Sequence, residues 1–254
     1  MGGLPPRPAA SRRARRIPPA PLRGPAVAAN AASRLHSSST HLTVAFHNVN
    51  GIGLRDEEVV RAADAMGAGI IGVCETQLRR ERTLCTGGNG KTSYRWIFGA
   101  GDERAGEGGR ARGGVAFLVS NAIGAAVTVA KVSRNQLWIR VKDKDRTIFV
   151  CVVYLPPAGH AHSAERRGTL EELSANIRRY RNQGGAVVVG GDLNARTASN
   201  GDAETNAEGR ELIHFAEEHM LRIVNRDKRK CRGAFTWERK RGQDMQQSTI
   251  DYVL

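Results

Sequence analysis

The sequence predicts a layered α/β sandwich. Runs of β-branched and aromatic residues outnumber the helical patterns, some runs join as hairpins while others are separated by a helix, and polar residues gather where the apolar runs end. This mixture excludes a plain parallel doubly wound sheet. A length of 254 residues suffices for one sizeable domain with a real core.

The elements follow in chain order. Residues 1–40 are rich in Pro, Ala, Arg and Ser, with seven Arg and no acid. Such a segment buries too little apolar surface to offset its ordering entropy, so it is expected to be disordered. Three readings stay open for it: a mitochondrial transit segment, although its prolines break the amphipathic helix such segments need; a basic arm touching nucleic acid; or an upstream extension of the reading frame. The domain is expected over 41–254. Residues 42–51 read as a strand whose alternation puts Asn48 and Asn50 on one face. Val59, Ala63 and Met66 give a helix over 56–66, stopped by Gly67 and Gly69. Residues 70–74 form a buried strand with Glu75 at its end. Residues 85–114 read as a basic Gly-rich loop holding a strand at 94–98, and 114–119 as a further strand.

The strands 137–141 and 147–154 flank a charged bend and predict a hairpin, ended by Pro156 and Pro157. Leu170, Leu173, Ile177 and Tyr180 stripe a helix over 163–182, with Ser163 as N-cap and arginines in its last turn. Residues 186–189 are a buried strand, 208–220 a helix and 221–224 a short strand. After a basic loop at 227–232, strands at 235–237 and 249–254 close the chain.

A net charge of +14 is only partly due to the first 40 residues, since 32 basic against 25 acidic residues remain beyond them. Nucleic acid is the expected partner of such a body. No apolar stretch approaches the roughly 18 residues of a membrane span, and no secretory signal pattern is present, so no membrane partner is expected. Cys74, Cys85, Cys151 and Cys231 show no zinc spacing, and a reduced intracellular compartment fits them best.

The stretch Gly190-Gly191-Asp192-Leu193-Asn194 organises the chemistry. Asp192 and Asn194, two apart, leave the same face at the end of a buried strand. A carboxylate and an amide so placed suit a hard cation or a phosphate oxygen, although Gly, Asp and Asn also build ordinary turns. With Asn48, Glu75, Tyr154 and Asp251, also at strand ends, they allow metal-assisted attack of water on a phosphodiester.

Five ordered motifs then become recognisable: His47-Asn48-Val49-Asn50-Gly51, Cys74-Glu75-Thr76-Gln77, Val153-Tyr154-Leu155-Pro156-Pro157, Gly190-Gly191-Asp192-Leu193-Asn194 and Ser248-Thr249-Ile250-Asp251-Tyr252. Together they resemble the endonuclease/exonuclease/phosphatase family over about 41–254, most closely the apurinic-type endonuclease domain of non-LTR retrotransposons. The resemblance implies a four-layer α/β sandwich, two packed mixed sheets flanked by helices, and hydrolysis of DNA phosphodiesters with Mg²⁺ (Mn²⁺ as substitute). It implies Asn48 and Glu75 at the metal, Tyr154 at the phosphate, Asp192 activating water, Asn194 stabilising the transition state and Asp251 orienting the site. DNA is the implied partner, no small-molecule cofactor is needed, and the compartment is nuclear, with the mitochondrion raised by the first 40 residues. Nothing bears on oligomeric state.

The chain departs from the family's pattern at its end. The family's closing Ser-Asp-His motif does not occur, and the strands that carry it are expected to be missing. His160 and His162 lie in a loop and do not match that motif. Whether this chain is an active enzyme is therefore left open. The alternatives are a catalytically defective DNA-binding remnant or a family phosphatase.

Overall fold

Alternation in the longest apolar runs decides how the sheets stack. A computed structural model of the chain describes residues 33–37, 40–53, 55–78, 92–100, 113–159, 162–227, 236–241 and 244–254. One five-stranded sheet has the order β1 (Ser33–Ser37), β2 (Thr40–Asn48), β3 (Ile70–Cys74), β5 (Val115–Ser120), β4 (Tyr94–Phe98). The other runs β12 (Asp251–Val253), β9 (Ala186–Asp192), β8 (Arg146–Tyr154), β7 (Gln136–Asp143), β6 (Val127–Val132). Both are mixed: β2 with β3 and β8 with β9 are parallel, and the other pairs are antiparallel.

Along β8, Ile148, Val150 and Val152 face the first sheet, together with Leu137, Ile139 and Val141 of β7. The intervening Phe149, Cys151 and Val153, with Trp138, face outward under α2 (Ser163–Asn182) and α3 (Ala207–Glu218). On the far side, Val59, Val60 and Ala63 of α1 (Asp56–Met66) cover Ala45, Ile71, Val73 and Leu118. The period-2 pattern thus puts one apolar face between the sheets and one under helices. The result is the expected four-layer sandwich. Aromatics are scarce but concentrated: the Tyr180 ring stacks on Phe149 at 4.1 Å and tilts against Trp138 at 4.9 Å, pinning α2 to the second sheet.

A parallel pair needs a crossover, and here each crossover is a helix. The units β2–α1–β3 and β8–α2–β9 both finish at the same end of the sandwich. Asn48 lies opposite Cys74 in the first, and Tyr154 opposite Asp192 in the second.

Several expectations need correcting. The strand expected at 221–224 is absent; a 3₁₀ turn, Val224–Arg226, stands there instead. The Asn225 side chain donates to the Asp251 carbonyl and accepts the Val253 N–H, so an amide replaces a ladder beside β12. The N-cap of α2 is His162, with Ser163 already inside the helix, because His162 has the non-helical backbone. The unanticipated β6 is an edge strand broken by a register shift between Val129 and Lys131; its exposed valines break the alternation that would reveal it. Among the described residues, paired structure begins at Ser33, ahead of His41, and β10 (Trp237–Arg241) with β11 (Asp244–Ser248) forms a hairpin where only a short strand was expected. The expected loop residues 79–91, 101–112 and 228–235, the first 32 residues and His160 lie outside the described residues.

Candidate active site

Residue 191 must be glycine for the site to exist. Its φ is 139°, and a Cβ there would lie 2.1 Å from the Val153 carbonyl oxygen and 2.8 Å from Cys74 Sγ. This close approach lets β9 end flush against β8 and β3, and delivers Asp192 to the meeting point of the two sheets. Asp251 on β12 lies directly opposite Asp192. The Cys74 thiol, read from sequence only as core, bridges the sheets: it donates to the Val153 carbonyl at 3.2 Å and accepts the Asp192 N–H at 3.5 Å.

The hub is Asn48. Its Nδ2 donates to Glu75 Oε1 and to Asp192 Oδ2, both at 2.7 Å, while its Oδ1 accepts the Asn50 N–H at 2.9 Å. One amide therefore holds a carboxylate from each sheet. Gln77, not anticipated, adds contacts of 3.3 Å to Glu75 Oε2 and Asn50 Oδ1. The Asn194 N–H donates to Asp192 Oδ1 at 2.9 Å, and its side-chain amide donates to the Leu155 carbonyl, also at 2.9 Å. Asn50, Glu75, Gln77 and Asn194 all have left-handed backbone, with φ of 44°, 53°, 53° and 46°. Asn tolerates this; Glu and Gln hold it at a cost of about 1 kcal/mol or more each. Tyr154 is half-buried beside Gly113, and its backbone pairs in register with Asp192. All six residues named from sequence thus stand at one end of the sandwich.

Asp192 and Asp251 are 1% and 3% exposed. Burial pushes the Asp192 carboxyl well above the usual range; Asp251 and Glu75 push it the same way, against the hydrogen bonds from Asn194 and Asn48. Burial likewise raises Asp251 to about 7, with the Glu75 charge adding to it and Thr236 opposing. The Asp251 backbone N–H donates to Thr236 Oγ1 at 3.1 Å, yet its Oδ1 is buried with no hydrogen-bond partner among the described residues. Burial, then the nearby carboxylates, raise Tyr154 far above its ordinary value, so its hydroxyl stays protonated.

Among the described residues no three His, Cys, Asp or Glu side chains form a ready-made metal cluster. A Mg²⁺-type ion needs only one or two carboxylates and keeps its waters. The residues fit that demand: half-buried Glu75 is held by amides, and the buried Asp251 Oδ1 is an oxygen with no hydrogen-bond partner among the described residues. The Asn48 oxygen accepts the Asn50 N–H and keeps a second lone pair, while its amide nitrogen holds Glu75.

Residues 148–254 match the family described as Endonuclease-reverse transcriptase. Over that stretch, somewhat less than half of its length, the chain is similar to this family. Among solved structures, the endonuclease domain of TRAS1, a telomere-specific non-LTR retrotransposon, matches at a TM-score of 0.55 and 18% identity, over 82% of each chain. The AP endonuclease LMAP from Leishmania major gives 0.62 at 12% identity, over 87% of this chain and 83% of that one. The 3′ phosphatase NExo from Neisseria, bound to a product DNA hairpin, gives 0.59 at 14%, over 83% and 84%. No curated protein sequence matches the chain. The structural likenesses concern the fold of the endonuclease/exonuclease/phosphatase domain. Among the described residues no helix is long and apolar enough to cross a membrane.

Proposed function

We propose that the domain hydrolyses phosphodiester bonds in DNA, nicking a strand with a divalent cation, Mg²⁺ or Mn²⁺. The observation that carries this reading is the single amide of Asn48 holding Glu75 and Asp192 together where both sheets end. The net charge of +14 supports an anionic polymer as substrate, and DNA as substrate supports a nuclear compartment.

Asp192 takes the proton of the attacking water. Burial and the neighbouring Asp251 make it a stronger base than a free carboxylate, and the Asn194 N–H and the Asn48 amide fix the direction of its two oxygens. Tyr154, kept protonated, donates to a phosphate oxygen. The Asn194 amide gives one hydrogen to Leu155 and keeps its second for a phosphate oxygen as charge builds there. Asp251 keeps the proton affinity of Asp192 high. Glu75 would hold the cation, and Asn48 would aim Glu75; when bound, the ion supplies Lewis-acid polarisation of the phosphate.

The test is conversion of supercoiled plasmid to open circle by the purified chain. Open circle is expected with Mg²⁺, and none with EDTA or with Asp192→Ala. Folded protein that binds DNA but cuts under no condition would instead identify a defective remnant. Release of inorganic phosphate from a 3′-phosphorylated oligonucleotide, without nicking, would identify a phosphatase.

A further inference from the structure

We infer that Arg166 is a positioning residue for this site, resting on the function proposed above: it locks together the two loops that present Tyr154 and Asp192. Arg166 lies in the first turns of α2, and its side chain is only 7% exposed. A buried arginine is rare unless its charge and donors are matched. Here they are matched from three elements. Nε donates to Glu211 Oε2 of α3 at 2.8 Å, and one terminal nitrogen donates to the Pro156 carbonyl at 3.0 Å and the Leu193 carbonyl at 3.1 Å.

Those two carbonyls are not arbitrary. Pro156 follows Tyr154 by two residues, and Leu193 sits between Asp192 and Asn194. The same two loops are already joined by the Leu155 N–H to the Asp192 carbonyl at 2.8 Å, and by the Asn194 amide to the Leu155 carbonyl. The guanidinium closes this ring from behind. Its planar fork lets one end take two carbonyls while Nε takes the carboxylate; an ammonium is a point donor and cannot span the same set. Arg166 is buried behind the two loops, with Nε given to Glu211 and one terminal nitrogen to the Pro156 and Leu193 carbonyls. It acts through the position of Asp192 and Asn194, where displacements of about 1 Å cost roughly a hundredfold in rate.

The test uses the full chain and two readouts: nicking kinetics per folded molecule, and amide hydrogen exchange resolved to short segments. Arg166→Met is expected to lower kcat roughly tenfold to a hundredfold. KM for plasmid should stay within about twofold, because phosphate contacts elsewhere set affinity. Exchange should rise in 154–157 and 192–195 and stay unchanged in β3 and β7. Arg166→Lys should recover part of kcat and part of the protection. Folded Arg166→Met with wild-type kcat, or with wild-type exchange in both loops, overturns the proposal. If Arg166→Met does not fold, Arg166→Lys is read by the same criteria. If the wild-type chain does not cut, the function proposed above fails, and exchange in the two loops alone decides the role of Arg166.

Discussion

The two β–α–β units are built to one plan and differ in what they deliver. In the first, an 11-residue helix links β2 to β3, and the strand ends offer Asn48 and half-buried Glu75. In the second, a 20-residue helix links β8 to β9, the strand ends offer Tyr154 and fully buried Asp192, and the helix sends a buried arginine beneath them. The first unit meets solvent and would receive an ion. The second is dry and raises the basicity of a carboxylate. Equivalent strand ends can therefore be divided between ion holding and proton handling by burial first, reinforced by the neighbouring carboxylates.

Removing one carboxylate from each unit should break the pairing most severely. Asp192→Ala and Glu75→Ala are each expected to lower nicking by about a thousandfold or more, and the double variant should be little worse than either, since the groups act as a unit. Single-turnover nicking measures this. A fully additive loss would mean that the two units work independently.

Next come the glycines at which the units touch. Gly191→Ala places a Cβ against a backbone oxygen at 2.1 Å with φ at 139°, and should cost about 3 kcal/mol or more. Gly72→Ala in β3 meets the Phe46 ring at 2.6 Å and Val152 Cβ at 3.0 Å; the ring can turn, so about 1–3 kcal/mol is expected. Urea unfolding of both variants gives the order.

The dry unit should also show in the pH dependence of stability. A carboxyl whose folded pKa is raised binds its proton more tightly folded than unfolded, so the penalty is full above the folded value and gone below the unfolded one. Asp251, raised to about 7 from 3.8, should make the protein more stable as pH falls from about 7 toward 4. Thermal unfolding in EDTA should show this rise in wild type and a flatter profile in Asp251→Asn. Activity should run the other way, growing as Asp192 loses its proton.

The smallest effect belongs to the helix of the first unit. Arg61 pairs with Glu57 at 3.4 Å on an exposed face, so Arg61→Ala should shift urea stability by no more than about 0.5 kcal/mol. The contrast with Arg166 is between an arginine in water and one under the site.

The elements with clean periodicity were legible in sequence. The α1 and α2 ranges follow from their apolar stripes, and the β7–β8 hairpin from its charged bend. That the six candidate residues would stand together was legible because each sits at or just beyond a strand end, beside a break in an apolar run. What stayed hidden depends on distant partners. Cys74 reads as a core residue until Val153 and Asp192 arrive from the other sheet, and nothing near Arg166 announces that Pro156 and Leu193 will lie above it. The strand expected at 221–224 does not form, because the side chain of the next residue, Asn225, takes the place of a backbone ladder beside β12.

The left-handed backbone at Glu75 and Gln77 sets a limit on improving this protein. Glycine would fit both positions with less strain, so variants selected for heat resistance alone should drift toward glycine there. Each such gain would erase a side chain that the Asn48 hub is built around. Thermostability and the proposed activity are thus opposed at two identifiable codons, and breeding a hardier form of the protein calls for changes made elsewhere in the sandwich.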